Sequence, residues 1–195
     1  MIPNQKVDLM TTKVHTLESA PEASKPLLEK SIKGFGRLPS LHAVMAESPQ
    51  MLEGYQRLHQ LAVETAFTPE ERTVVWMTVN VVNRCHYCVP AHTGIAKREK
   101  IDAAIVEALR NETPLPDSKL EALRTFTLAV RDSHGRPDAA ELAAFRAAGF
   151  DDRAVLDVIL IIAQKVMSNF TNSIFETPTD AAFEQFLWTP RAAAQ

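Results

Sequence analysis

The segment RCHYCVPAH, Arg84 to His92, holds both cysteines of the 195-residue chain and two of its six histidines. Groups of these types at this spacing admit three chemistries: a metal clamp, a disulfide that holds a turn, and a thiol pair that cycles between oxidised and reduced. If Cys85 opens a helix, Cys85, Cys88 and His92 fall within an arc of roughly 60° on one face. Thiols three residues apart on a helix have Cα atoms about 5 Å apart, inside the range a disulfide tolerates. His92, one turn beyond Cys88, is then placed to exchange a proton with that sulfur.

A thiol with the ordinary pKa of about 8.5 is a poor nucleophile at neutral pH, and a helix N-terminus or nearby cation favours the thiolate. Arg84, His86 and His92 are the local candidates for positive charge. A thiolate that attacks a peroxide becomes a sulfenic acid, which a neighbouring thiol condenses to a disulfide; an external dithiol reopens it. The register of His92 favours Cys88 as the attacking thiol and Cys85 as the resolving one, whereas proximity to the helix start favours Cys85. Zinc is served less well, because a closed site takes four ligands and no second cysteine pair exists, with His86 pointing about 100° away from Cys85. A structural disulfide over so short a loop removes little unfolded-state entropy.

The rest of the chain must position these groups. Its 195 residues suffice for one domain with a real core, over residues 1–195 with the first dozen loosely ordered. A net charge of −3, with 21 Lys and Arg scattered among 24 acids, argues against nucleic acid or an anionic membrane as partner. No secretory signal precedes the first helix, and the longest apolar run, Val158 to Ala163, is short for a bilayer span, so a soluble cytoplasmic chain is expected. For the same reason the N-F-T acceptor at Asn169 is discounted.

Helix punctuation recurs and no period-two strand pattern is sustained, which predicts an all-α helix bundle. Helices are expected around Pro26, from Ser48-Pro49 to about Thr65, from a Thr68/Glu71 capping box to about Asn83, and from the cysteine motif to about Arg98. Further helices are predicted over Ala103 to Leu109, from a Ser118/Glu121 capping box to before Gly135, from Asp138/Glu141 to Gly149, and from Asp151 or Asp152 through VILIIA. A last amphipathic piece is expected near Asp180 to Trp188. Met167, Phe170 and Phe175 are core candidates, and His15, His42, His59 and His134 lack partner spacing and are expected to have only surface or local roles.

The run VNVVNRCHYCVPAHTGIA resembles the core of the AhpD-like group in the carboxymuconolactone decarboxylase superfamily, whose redox members carry C-x-x-C-x-x-x-H on an all-helical fold. More loosely, TPEERTVV and AAGFDDRAVLDVILIIAQKVMSNFTNSIFETPTD resemble its peroxidase-related branch. The resemblance implies reduction of alkyl hydroperoxides by Cys85 and Cys88 with His92 in a proton relay, a dithiol or disulfide reductase as partner, no cofactor or metal, and a homo-oligomer (dimer, trimer or hexamer). Two positions depart from the family pattern. A relay glutamate twelve residues before the first cysteine is replaced by Thr73, with Glu71 two places earlier; the histidine before the second cysteine is replaced by Tyr87, with His86 beside it. Glu71, His86 and Tyr87 are therefore secondary site candidates, each with an ordinary reading as cap, charge or packing aromatic. The rival functions are a lactone-acid decarboxylase, whose family members generally lack the thiol pair, and a non-catalytic redox or zinc-responsive protein.

Overall fold

The computed structural model describes residues 13–191; the expectation for the first dozen residues lies outside them. Among the described residues nine α-helices follow one another: α1 (Lys25–Phe35), α2 (Ser40–Met45), α3 (Pro49–Val63), α4 (Pro69–Val82), α5 (Cys88–Arg98), α6 (Ala103–Arg110), α7 (Ser118–Asp132), α8 (Ala139–Ala147) and α9 (Asp152–Ile174). Short 3-10 segments, Glu22–Ser24 and Ala181–Phe186, flank them, and no strand occurs among the described residues. The all-α expectation is met. Helix α2 was not anticipated, since six residues between Pro39 and Ser48 carry too little periodicity to read.

Start signals decide most boundaries. Ser48 accepts from the Met51 amide at 3.3 Å with Pro49 in the first turn. Thr68 and Glu71 form the expected reciprocal box, as do Asp138 and Glu141. The Ser118/Glu121 box is not formed. Asp117 caps α7 by accepting from Leu120 at 2.9 Å, and Glu121 reaches back instead to the Leu115 amide at 2.8 Å. Both residues types at 117 and 118 are good caps, and the ionised carboxylate is the stronger acceptor.

Stops follow a common device. At the ends of α4 to α8 a residue in the left-handed region, Arg84, Lys100, Glu112, His134 or Gly149, lets the next amide bond a carbonyl five residues back, which is the Schellman closure. Only Gly149 takes that conformation without steric cost. Arg84 (φ 51°) is exposed and reverses the chain between α4 and the thiols. Arg84→Gly should therefore raise stability by roughly 0.5–1 kcal/mol, the relief of a left-handed residue less the added freedom of the unfolded chain; urea midpoints of the two proteins check this.

Helix α4 is the central post. Every residue from Glu71 to Val81 is buried, as a helix surrounded on all sides requires, and α5, α6, α7 and α9 pack around it. On one side Phe126, Phe145 and Phe150 stack at 4.0 and 4.5 Å between ring centres. On the other, Leu28, Leu41, Met45, Leu52 and Tyr55 from α1, α2 and α3 form a second apolar cluster, and both thiols belong to it. The long α9 lies against α3 and α4. Among the described residues it is the one helix long and apolar enough to cross a membrane. Its inward face, however, holds Gln164, Lys165, Ser168 and Asn172 within the protein, as a core helix would.

Candidate active site

Cys85 does not open α5. The closure at Arg84 commits the Cys85 amide to the Asn80 carbonyl at 3.0 Å, and the helix begins at Cys88. The turn nevertheless brings the sulfurs together. The Cys88 amide donates to Cys85 Sγ at 3.2 Å, and Asn172 Nδ2 lies 3.2 Å from Cys88 Sγ and 3.8 Å from Cys85 Sγ. Both thiols are free and buried. A side chain from α9 thus spans the pair, which neither a metal clamp nor a simple turn brace requires.

The two thiols differ. Hydrogen bonding to Cys88, burial and the neighbouring Cys88 charge push the Cys85 thiol up. Burial also raises Cys88, but the hydrogen bond from Cys85, the Lys165 charge, Asn172 and Ser168 outweigh it and lower that thiol to about 6. The proton therefore sits on Cys85 and the negative charge on Cys88. Cys88 also lines a cavity of about 160 Å³ whose walls do not include Cys85.

His92 lines the same cavity, but its partner is not sulfur. Its Nε2 lies 3.0 Å from Nζ of Lys165, whose side chain is fully buried. Burial first, then Lys165 and His59, hold His92 well below the usual imidazole range, so the neutral ring accepts from the ammonium. Trp76 covers the ring at 4.9 Å and anchors its own indole N–H on Gln164 Oε1 at 3.1 Å.

Tyr87 also faces the cavity. Its hydroxyl donates to Asp180 Oδ2 at 2.7 Å, while Oδ1 of that carboxylate accepts from the Ser40 amide and hydroxyl at 2.9 and 2.7 Å. Burial and then the Asp180 charge push the phenol up, so it stays protonated. His86 points elsewhere, with Nε2 donating to the Thr177 carbonyl at 3.0 Å; it fastens the C-terminal segment. The Glu71 carboxylate is engaged by the Thr68 amide at 2.9 Å and by Lys119 at 2.7 Å. It lies eleven residues, about 16 Å along the axis, from the end of α4 that leads to the thiols, and does not line the cavity.

His42 and His59 are not merely local. Both line the cavity, and burial above all lowers each to about 4. His59 stacks on Trp76 at 5.7 Å, and His42 Nδ1 lies 2.8 Å from Ser31 Oγ. Lys165, Ser168, Asn172 and Asp180 also escape sequence reasoning. For the first three the one signal is the polar run at 164, 165, 168, 169 and 172 of α9, which shares a helix face and by periodicity reads as solvent-facing.

The C-terminal segment closes the site through a tight contact. A Cβ on Gly94 of α5 would meet the Phe183 ring at 2.8 Å and Phe186 at 3.1 Å. Gly94→Val should cost roughly 2 kcal/mol by overpacking and displace Phe183 from the cavity wall, read as a lower thermal midpoint with faster Cys88 alkylation.

Residues 49–128, from α3 into α7, match the family model described as the carboxymuconolactone decarboxylase family. That segment is similar to the carboxymuconolactone decarboxylase family, and the fold around it is AhpD-like. The solved structures similar to it include an uncharacterised peroxidase-related protein with an alkylhydroperoxidase AhpD core from Ralstonia eutropha JMP134 (TM-score 0.77, 21% identity, 89% of this chain and 94% of that one). Another is a peroxidase-related protein from Silicibacter sp. TM1040 (0.74, 19%, 89% and 94%). A third is the debrominase Bmp8 in complex with 2,3,4-tribromopyrrole (0.73, 18%, 92% and 96%). At these identities the likeness establishes the fold. No curated protein matches the chain.

Proposed function

We propose that this protein is a thiol-dependent oxidoreductase that reduces a hydroperoxide through Cys88 and Cys85. One observation carries the reading: Cys88 opens onto the cavity beside a buried cation, with Cys85 behind it on the same Asn172 amide. The Cys88 thiolate attacks the terminal peroxide oxygen, the S–O bond forms and the O–O bond breaks. The alkoxide leaves as the alcohol with a proton from the Lys165 ammonium. Cys85 sulfur then attacks Cys88 sulfur; the S–S bond forms, the S–O bond breaks, and the Cys85 proton departs with hydroxide as water. An external dithiol reduces the disulfide, its two protons restoring Cys85 and Lys165, so that hydroperoxide and dithiol become alcohol, water and a second disulfide.

In this mechanism His92 is a positioning residue that holds the ammonium by accepting at Nε2. The cavity volume is close to the roughly 150 Å³ that accommodates one benzene ring, which favours a small peroxide over a long lipid one. Consumption of tert-butyl hydroperoxide in the presence of a small dithiol tests the function. Turnover no faster than that of the Cys88→Ser variant would end it.

Lys165→Met removes the cation at nearly constant volume. The Cys88 thiol should then rise by at least one unit from about 6, which takes the thiolate at pH 7 from about nine-tenths of the molecules to about half or less. The alkylation profile would shift to higher pH, with the rate recovered near pH 9; a lower rate at every pH with an unmoved profile would contradict the assignment.

A second reading is favoured by the walls of the cavity, where His59, Trp76 and His92 present ring faces, and by the ligand of the similar debrominase. The same two thiols would reduce a carbon–halogen bond, converting an aryl halide and a dithiol into arene, disulfide and hydrogen halide. Halide release from a brominated pyrrole, without peroxide turnover, would select it.

A further inference from the structure

The thiol chemistry leaves much of the cavity wall unused. Cys88, Ala91, His92, Ile95 and Arg98 share one face of α5 and line the cavity, with the buried Cys88 at one end and the exposed Arg98 roughly 15 Å further along the axis. Side chains on a helix lean toward its N-terminus, so Arg98 faces back down the cavity toward the sulfur. Half-buried Arg37, on the loop between α1 and α2, lines the same space. The outward face of α9 has no part in it, and Phe170, a core candidate by sequence, lies there on the surface.

The other charges around the cavity are matched. Lys165 stands by the Cys88 thiolate, and Glu99 pairs with Arg72 at 3.9 Å. Asp180 already accepts from Tyr87 and Ser40 at 2.7 to 2.9 Å, and Arg37 Nη2 is 3.8 Å from it, beyond hydrogen-bond length. His42, His59 and His92 are held neutral. Among the described residues Arg98 makes no hydrogen bond or ion pair, and Arg37 makes no hydrogen bond. The Arg37 guanidinium lies over the Phe183 ring at 4.9 Å. Stacking of this kind uses its flat face and leaves the N–H edge for an acceptor. Its Nε is a buried donor without one, which is costly unless a partner arrives.

We propose that the substrate of this cavity carries a carboxylate held by Arg37 and Arg98, with its reactive group directed at Cys88. On the peroxidase reading, on which this rests, that substrate is a small hydroperoxide of an organic acid. A carboxylate suits a guanidinium because its two oxygens meet two parallel N–H groups. The cavity of about 160 Å³ limits the rest of the molecule to about one ring or a short chain. A neutral peroxide would leave both arginines as they stand now.

Benzoate and benzamide, alike in size and different in charge, test this without any peroxide. Benzoate should protect Cys88 from iodoacetamide at a concentration about tenfold below that of benzamide. Arg37→Gln and Arg98→Gln should each cut that preference about threefold and the double variant should abolish it, with Arg37→Lys restoring part. Arg98 has no partner to lose, so Arg98→Gln keeps the fold even if Arg37→Gln loosens the Asp180 corner. Lys97→Gln removes an equal charge off the cavity wall, where Lys97 lies over Phe186, and should leave the preference unchanged. Equal protection by the two probes, or a benzoate preference that survives in the double variant, would overturn the proposal. The second outcome would assign the anion to Lys165. Absence of hydroperoxide turnover, with the benzoate preference intact, would strike the peroxide chemistry and leave the anion site standing.

Discussion

Cys88→Ser should lose at least a thousandfold of dithiol-dependent hydroperoxide turnover, because the hydroxyl that replaces the thiolate is not ionised at neutral pH and cannot accept oxygen. Cys85→Ser differs in kind: it should consume one equivalent of peroxide and stop, with a sulfenic acid trappable at Cys88. The order of the two thiols follows from the cavity and from the opposite shifts of their pKa values, down for Cys88 and up for Cys85. Reactivity of the pair should fall as the pH drops through about 6, where the first proton returns to Cys88. Trapping at Cys85 in Cys88→Ser, at a rate matching wild type, would reverse the order.

Acid should destabilise the fold strongly between pH 6.5 and 4. His42 and His59 stay uncharged in the folded chain down to about 4, chiefly because they are buried, whereas in the unfolded chain they take up protons near 6.5. Across that window the unfolded state binds more protons, so stability declines as pH decreases and the loss is complete below 4. A shift of this size is worth on the order of 3 kcal/mol per ring, with less from His59, which keeps part of its surface exposed. Urea midpoints at pH 7 and pH 4.5 measure the loss, and His42→Phe should flatten the slope. A midpoint independent of pH would mean that neither ring is held neutral.

The reading of Cys85 as the helix opener shows where sequence periodicity stops. Spacing alone placed the thiols on one helix face, but the end of α4 competes for the same residues. The Cys85 amide is drawn to Asn80, and the helix starts three residues late. The outcome for the sulfurs survives because a three-residue turn and the first turn of a helix both bring such side chains together. His92 shows the opposite case. Its register with Cys88 was correct, yet its nitrogen is taken by Lys165, seventy-three residues along the chain.

By itself the sequence determined the helical class, most helix starts, and the paired thiols with an imidazole close by. These rest on local terms, capping, backbone propensity and short spacing, whose partners are within a few positions of one another. Tertiary structure alone decided which thiol carries the charge, because Lys165, Ser168 and Asn172 reach it only when α9 docks on α4 and α5. It also decided which face of α9 is the inside. Periodicity separates apolar from polar sides but does not say which side meets water, and here the polar side is enclosed around the thiols while the apolar side is left exposed.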